Sequence, residues 1–450
     1  MTPSTGPALS DFSSAICIFC VLLVPFALAG LSLINAGLGR SRSAAHSMLA
    51  SLCVLAVAWL VYFTCGFAWQ GFNGRPGHLL TVAGRQWNWI AAQPFFFRGL
   101  KLDGSPASLS AWLQMLSVGL AALIPLGSGA DRWRLSASCL STALLAGCTF
   151  PLFAHWVWGG GWLAQLGINY GLGHGFVDAG GSSSIHALGG LTALAIVWIL
   201  GPRRGKYTMD GMPAAIPGHN IVFVLFGCLL ALVGWLGLNC AGAILFAGTE
   251  SGRVVLIAVN TTLASASAAL MVAAITRLRF GKPDASLSAN GWVSGLVASS
   301  AACALVNPAV AVSIGLASGV LVTFAIEWLE SRLAVDDPGG AISVHAVAGC
   351  WGVLALGLFA SFPGPALSRV SNPKLLPGGA GTGQWMAQLV GIATLFGFVF
   401  PLTYSLNWLL DRFYPQRVAE EGERQGMDLY ELGAGAYPEF VTYTEGLTQR

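Results

Sequence analysis

Eleven apolar stretches follow one another along this chain of 450 residues, and their length is what most constrains the fold. They run roughly from Ala15 to Ala36, Ser47 to Trp69, Leu109 to Leu126, Ala137 to Trp158, Ile185 to Leu200, Ile221 to Leu238, Val254 to Ile275, Gly291 to Leu305, Ala309 to Ile326, Val344 to Ala360 and Met386 to Leu409. A helix of ~20 apolar residues crosses a bilayer, and in lipid each backbone N–H and C=O must find its partner inside the segment. The shorter stretches are extended by weakly polar, Gly-rich flanks such as the one before Ile185. Only 9% of residues are charged, against roughly a quarter in soluble domains. The chain therefore reads as an all-α polytopic membrane protein of about eleven transmembrane helices. Its 58 Gly and 16 Trp suit close helix packing and interfacial anchoring. A net charge of +3, carried by scattered basic residues, excludes nucleic-acid binding. The ten cysteines lie almost wholly in apolar stretches and read as small buried residues rather than metal ligands or redox pairs. No basic region precedes the first apolar run, which is expected to be retained as a span; cleavage as a signal is the lesser alternative.

An odd number of spans puts the termini on opposite sides. With the N-terminus outside, the inner loops hold Arg40, Arg42, Arg132, Arg134, Arg203, Arg204, Lys206, Arg277, Arg279, Lys282 and Arg332. The outer loops hold Arg75, Arg85, Arg98, Lys101, Arg253, Arg369 and Lys374, four of them in one long loop between Gly71 and Ala107. The excess of Lys and Arg marks the cytoplasmic side, so a multi-pass protein of the plasma or inner membrane with a cytoplasmic C-terminus is expected. Residues 1–410 form the membrane domain. Residues 411–450 form a soluble tail that holds 8 of the 19 acidic residues.

The chain repeats itself at one place. DAGGSSSIHALGG begins at Asp178 and DPGGAISVHAVAG at Asp337, and the two share Asp, a Gly pair, Ser, a β-branched residue, His, Ala and a final Gly at matching positions. Five spans separate the copies. An odd step reverses direction in the membrane, so the repeat is read as inverted about an axis in the membrane plane. It gives five helices over about 12–202, five over about 217–362, and one extra helix over about 384–410.

That symmetry carries His186 and His345 into the membrane from opposite sides and brings them together near its middle. A lone His in an apolar helix is ordinarily a core residue. A symmetric pair of ionisable residues within the membrane instead marks a pathway. Neutral imidazole offers one donor and one acceptor, so a pair in contact makes a polar chain that a small hydrogen-bonding molecule can follow. A metal centre would need further ligands near either His, and none stands there, so no metal or other cofactor is expected. Asp178 and Asp337 precede their helices by nearly two turns, which suits capping and the helix dipole. A role for Asp178 in organising a cation site stands beside that reading.

These residues resemble the ammonium transporter (Amt/Mep/Rh) family, and its Amt branch most. The resemblance rests on Asp178 to His186, on AHWVWGGGWL from Ala154 to Leu163, on GWLGLN from Gly234 to Asn239, on NTTL from Asn260 to Leu263, on Asp336 to Gly352, and on the tail. It implies a homotrimer with one pore in each subunit. It makes His186 and His345 the pore histidines, Asp178 the signature aspartate, and Trp158 the vestibule tryptophan that faces the recruited ammonium or methylammonium ion. A cation over an indole face gains about 0.5–2 kcal/mol. The tail residues Glu423, Gly426, Asp428, Glu431, Gly433 and Tyr437 match the family's regulatory region, which in relatives packs on a neighbouring subunit and in prokaryotes meets PII-type signal proteins.

The chain departs from the family where the ion is collected. Ser117 and Leu238 stand where the family has two stacked Phe, and Gly242 stands where it has a hydroxyl for the ion. Two readings of the outer site stay open: it is weakened, or other side chains complete it. Accordingly, an ammonium or ammonia channel or transporter leads. A sensor of the same fold with little transport is the alternative, and a neutral gas pore like the Rh branch is a third reading. No nucleophile with a base, phosphate loop or metal cluster points to an enzyme.

Overall fold

The computed structural model describes residues 9–437 apart from 73, 75, 76 and 363–382. Among them, ten helices are long and apolar enough to cross a membrane. They are α1 (Asp11–Leu38), α2 (Ser41–Gln70), α3 (Pro106–Gly129), α4 (Leu135–Trp158), α5 (Ser182–Leu200), α6 (Ile221–Leu245), α7 (Ser251–Phe280), α9 (Pro308–Leu333), α10 (Ile342–Phe359) and α11 (Gln384–Phe413). Between α7 and α9 lies α8 (Ala285–Ser300), which has 16 residues. It takes the place of the expected span from Gly291 to Leu305 but starts earlier, because the Asp284 carboxylate accepts the Leu287 amide at 2.8 Å and caps the helix there. Residues 301–305 are a buried turn, so this helix is shorter than the ~20 residues of a full crossing. Arg75, Arg369 and Lys374 of the outer-loop count, and the tail beyond Tyr437, lie outside the described residues.

Sequence dictates the helix ends elsewhere too. Pro106 and Pro308 stand in first turns, where no N–H partner is lost, and the side chains of Asn220 and Asn307 cap α6 and α9.

α1 packs on α6 through glycines. A Cβ built on Gly30 would stand 2.5 Å from the Gly227 carbonyl oxygen, and one on Gly227 would stand 2.6 Å from that of Gly30. Gly37 and Gly237 meet the opposite helix just as closely. Lipid offers no hydrophobic drive between helices, so close van der Waals approach between small residues must supply the packing.

Among the described residues, one sheet departs from an all-helical chain. The long loop after α2 holds a hairpin of β1 (Gly77–Val82) and β2 (Arg85–Ala91), antiparallel with an irregularity between His78 and Leu79. Ala83 (φ 50°) and Gly84 (φ 74°) make its two-residue turn, the positive-φ geometry that matches strand twist. Trp156 Nε1 donates to Trp89 O and Gln165 Oε1 accepts the Asn88 amide, both at 2.8 Å, and these bonds fasten the hairpin to the end of α4 and to the loop after it.

Candidate functional site

The two repeated motifs build two alike helix entrances. Gly181 (φ 98°) and Gly340 (φ 63°) adopt the left-handed conformation that lets the chain turn into the helix. The Asp178 carboxylate then accepts the amides of Gly181, Ser182, Ser183 and Ser184 at 2.8–3.0 Å and the Ser183 hydroxyl at 2.6 Å. Asp337 accepts the amides of Ala341 and Ile342 at 3.1 and 2.8 Å and the Ser128 hydroxyl at 2.6 Å. Both aspartates are caps, and the Asp178 oxygens are already committed to their own helix.

The helices run oppositely. Asp178 receives the Trp158 indole N–H on its carbonyl at the hairpin end, and Leu200 closes α5 against Arg417 of the tail. In the other copy Asp336 meets Arg203 at the tail end, and Phe362 beyond α10 stacks on His174, whose loop is bonded to the start of α11. The contact between α5 and α10 is reciprocal. A Cβ on Gly190 would collide with Ala346, and a Cβ on Gly349 would collide with Ser182 O and Ala187. Gly190 and Gly349 are the matching final glycines of the two motifs, as Ala187 and Ala346 are matching alanines.

This crossing sets the histidines side by side. The ring centres of His186 and His345 lie 5.3 Å apart at 27°, and the Trp235 ring lies 5.0 Å from that of His186 and within 10° of parallel to it. No hydrogen bond joins the two imidazoles to each other among the described residues. Both nitrogens of His186, Nδ1 of His345 and Nε1 of Trp235 are buried without a hydrogen-bond partner among the described residues. Leaving a buried polar group unpaired costs about 1–3 kcal/mol, so a column of such groups has an unmet demand for a small donor or acceptor. Trp235 lies within the GWLGLN stretch, but nothing in the spacing of that stretch aims it at His186.

Trp158 and Gly242 meet neighbouring residues, Asp178 and Ala179, of the loop before α5. Trp158 is 6% exposed, its N–H held 2.7 Å from Asp178 O. Phe246, which sequence reasoning passed over, covers one indole face at a centroid distance of 4.4 Å and 13°. It follows Gly242 by one helical turn, which is the only signal that could have found it. A Cβ on Gly242 would stand 2.5 Å from Ala179 O, so the residue is glycine because the loop before α5 lies directly on α6. Asn239 sits beside Gly180 on that loop and bonds Thr261 Oγ1 at 2.9 Å, leaving its own Oδ1 unpaired. Leu238 is buried, and Ser117, fully buried in α3, donates its hydroxyl to Leu113 O at 2.8 Å.

At the tail end a buried ionic cluster ties the two motif helices together. Arg203, just past α5, grips Asp336, just before α10, through Nε and Nη2 at 2.9 and 3.0 Å and reaches Asp131 at 3.0 Å. Arg132, fully buried, donates to Asp336 O at 2.9 Å and Gly201 O at 2.7 Å. Burial opposes the charged form of Asp336, but the bonds from Arg203 and the nearby arginine charges outweigh it and hold its carboxyl below the ordinary range. Burial prevails at Asp337, whose carboxyl lies above that range.

The tail docks on this cluster and on the helix starts beside it, all within one chain. Glu423 accepts the Arg204 amide at 2.6 Å and pairs with Arg417 at 2.8 Å. Gly426 (φ 100°) lies so close to Arg42 that a Cβ would stand 2.5 Å from its carbonyl oxygen. The turn of α2 that follows Ser43 and the first turn of α4 have no cap of their own, since neither Ser43 nor Arg134 bonds an amide with its side chain. The tail supplies both caps. Asp428 accepts the amides of His46 and Ala45 at 2.7 and 3.2 Å, and Glu431 accepts the Leu135 amide and His46 Nε2 at 2.9 Å. Tyr437 OH meets His219 Nε2 at 3.0 Å, and Gly433 (φ 73°) makes the turn between them.

The chain is similar to known proteins over nearly its whole length. The family model described as the Ammonium Transporter Family matches residues 15–437. The chain is 39% identical over 441 residues to ammonium transporter Amt2 of Archaeoglobus fulgidus, covering 95% of this chain and 89% of that one. It is 30% identical to the ammonium transporter of Bacillus subtilis, covering 93% and 96%. Among solved structures, a protein titled Sensor Amt Protein aligns with a TM-score of 0.81 at 28% identity, covering 94% of this chain and 98% of that one. Mep2 of Candida albicans aligns at 0.77 with 24% identity over 96% and 91%, a likeness of fold.

Proposed function

We propose, because this chain belongs to the ammonium transporter family, that it moves ammonium across the membrane by passing ammonia along His186 and His345. Family membership carries ammonium transport as such, and the chain is a membrane transporter rather than an enzyme. The twin-histidine route rests on one observation above the rest: the buried, unpartnered nitrogens of His186, His345 and Trp235 at the crossing of the motif helices. A carried charge would have to shed its water in a medium of low dielectric, at a cost of many kcal/mol. Leaving the proton behind near Trp158 avoids most of that cost, and neutral ammonia then finds donors and acceptors in the imidazole column.

The opposed directions of α5 and α10 and the reciprocal glycine contacts support reading the two halves, about 12–202 and 217–362, as an inverted repeat. The proposal includes a homotrimer with one pore per subunit, a cytoplasmic tail, and a PII-type protein meeting that tail. The caps that Asp428 and Glu431 give to α2 and α4 support a regulatory tail, because its release would uncap two membrane helices.

A second reading is favoured by the covered face of Trp158: an ammonium sensor that signals through the tail and transports little. Expression in a strain without ammonium transporters of its own, grown on low ammonium, separates the two. Growth rescue that is lost in His345→Leu supports transport. Rescue that survives His345→Leu refutes the route, and no rescue despite good membrane expression favours the sensor.

A further inference from the structure

The stack of Phe246 on Trp158 has a consequence for ion selection that is independent of the histidines. A cation bound to an indole sits over its face, within about 6 Å of the ring centre. The Phe246 ring already occupies that volume at 4.4 Å, parallel to within 13°. Three of the four parts of this arrangement are fixed. The indole is anchored through Nε1 to Asp178 O at 2.7 Å, and Asp178 is itself held by the amides of α5. The end of α6 is pressed on Ala179 at Gly242, and the Phe246 amide closes the last turn onto Gly242 O at 2.8 Å. The fourth part, the Phe246 ring, is held by packing alone and is part-exposed, while Trp158 beneath it is buried. Directly beyond it the chain turns away at Gly248 (φ 64°).

We infer that Phe246 is a specificity-determining lid: it competes with the ammonium ion for one face of Trp158, and the ion is admitted when the phenyl ring swings aside. The inference rests on the reading of Trp158 as the capture site. Because the lid must clear a volume that grows with each methyl group, it discriminates against methylated ammonium more than against ammonium itself. An aromatic pair is worth about 0.5–1.5 kcal/mol beyond its area, so removing the lid corresponds to a roughly two- to tenfold gain in affinity.

The test is uptake of labelled methylammonium by cells carrying the full chain, with ammonium as competitor, for wild type, Phe246→Ala, Phe246→Tyr and Trp158→Leu at matched membrane levels. Phe246→Ala is expected to lower the half-saturating methylammonium concentration two- to tenfold with the maximal rate within twofold. Its preference for ammonium over methylammonium should narrow, and Phe246→Tyr should behave as wild type. An unchanged or raised half-saturation in Phe246→Ala overturns the lid. An unaltered Trp158→Leu overturns the capture site and the lid with it. If no form takes up methylammonium, transport fails as a reading, and calorimetric titration of the purified proteins with methylammonium chloride decides instead. There, tighter binding by Phe246→Ala supports the lid and equal binding overturns it.

Discussion

The crossing of α5 and α10 is held by two glycines, and an alanine at either one should separate the histidines without unfolding the chain. A Cβ on Gly190 would lie 2.9 Å from both Cα and Cβ of Ala346 and nearer still to its amide nitrogen. Ordinary carbon contacts fall at about 3.5–4.0 Å, so the helices must part by roughly 0.5–1 Å. Gly349→Ala makes the matching demand on Ser182 and Ala187. Overpacking of this kind costs about 1–3 kcal/mol, partly offset by the roughly 0.5–1 kcal/mol that alanine gains over glycine in a helix. The net loss is small against a whole fold, yet a 1 Å misplacement at a reacting centre costs on the order of 100-fold. Uptake by Gly190→Ala and Gly349→Ala should therefore fall at least tenfold at near-normal expression and melting temperature. The double variant should do little further harm, since one separation relieves both collisions. Gly397→Ala in α11 is the control, because its Cβ would meet nothing within 4 Å. Uptake by the two crossing variants equal to that of Gly397→Ala refutes the idea that the His186–His345 spacing governs conduction.

Two further expectations concern the entrance and the tail. Gly242→Ser restores the hydroxyl that the family places there, but its Cβ would stand 2.5 Å from Ala179 O; uptake should fall rather than improve, and a gain would show that the outer site lacks only an oxygen. Burial raises the Glu431 carboxyl, but the bond from His46 and the Leu135 amide outweigh it and hold it below its ordinary range. A group depressed on docking stabilises the docked state above its free pKa, about 4.3, and loses that contribution as pH falls through the docked value. The tail should thus stay docked at neutral pH and loosen in acid. Glu431→Ala, which removes a helix cap worth about 1 kcal/mol, should expose the tail to hydrogen exchange at pH 7; unchanged protection would show that the cap does not hold it.

Much of the membrane body was legible in the sequence because lipid leaves few choices. Apolar runs of sufficient length must be helices, and the repeated Asp, Gly and His predict two equivalent entrances. The capping role of Asp337 followed from its spacing. For Asp178 spacing left capping and cation binding side by side, and its four amide bonds show the first. The short α8 and the hairpin were not legible. The first depends on where Asp284 caps, and the second is a part-exposed pair whose alternation is broken at His78 and Leu79.

An all-helical membrane body with a duplicated His motif is written in composition and spacing, because the cost of unpaired backbone in lipid acts locally. Tertiary packing alone sets the two imidazoles 5.3 Å apart and lays Trp235 parallel to His186. It likewise decided that Phe246 covers Trp158, that Gly242 is filled by a neighbouring carbonyl, and that tail carboxylates cap α2 and α4. Each of these is a contact between segments far apart in the chain, set by how closely small residues let helices approach, and no single segment's pattern carries that distance.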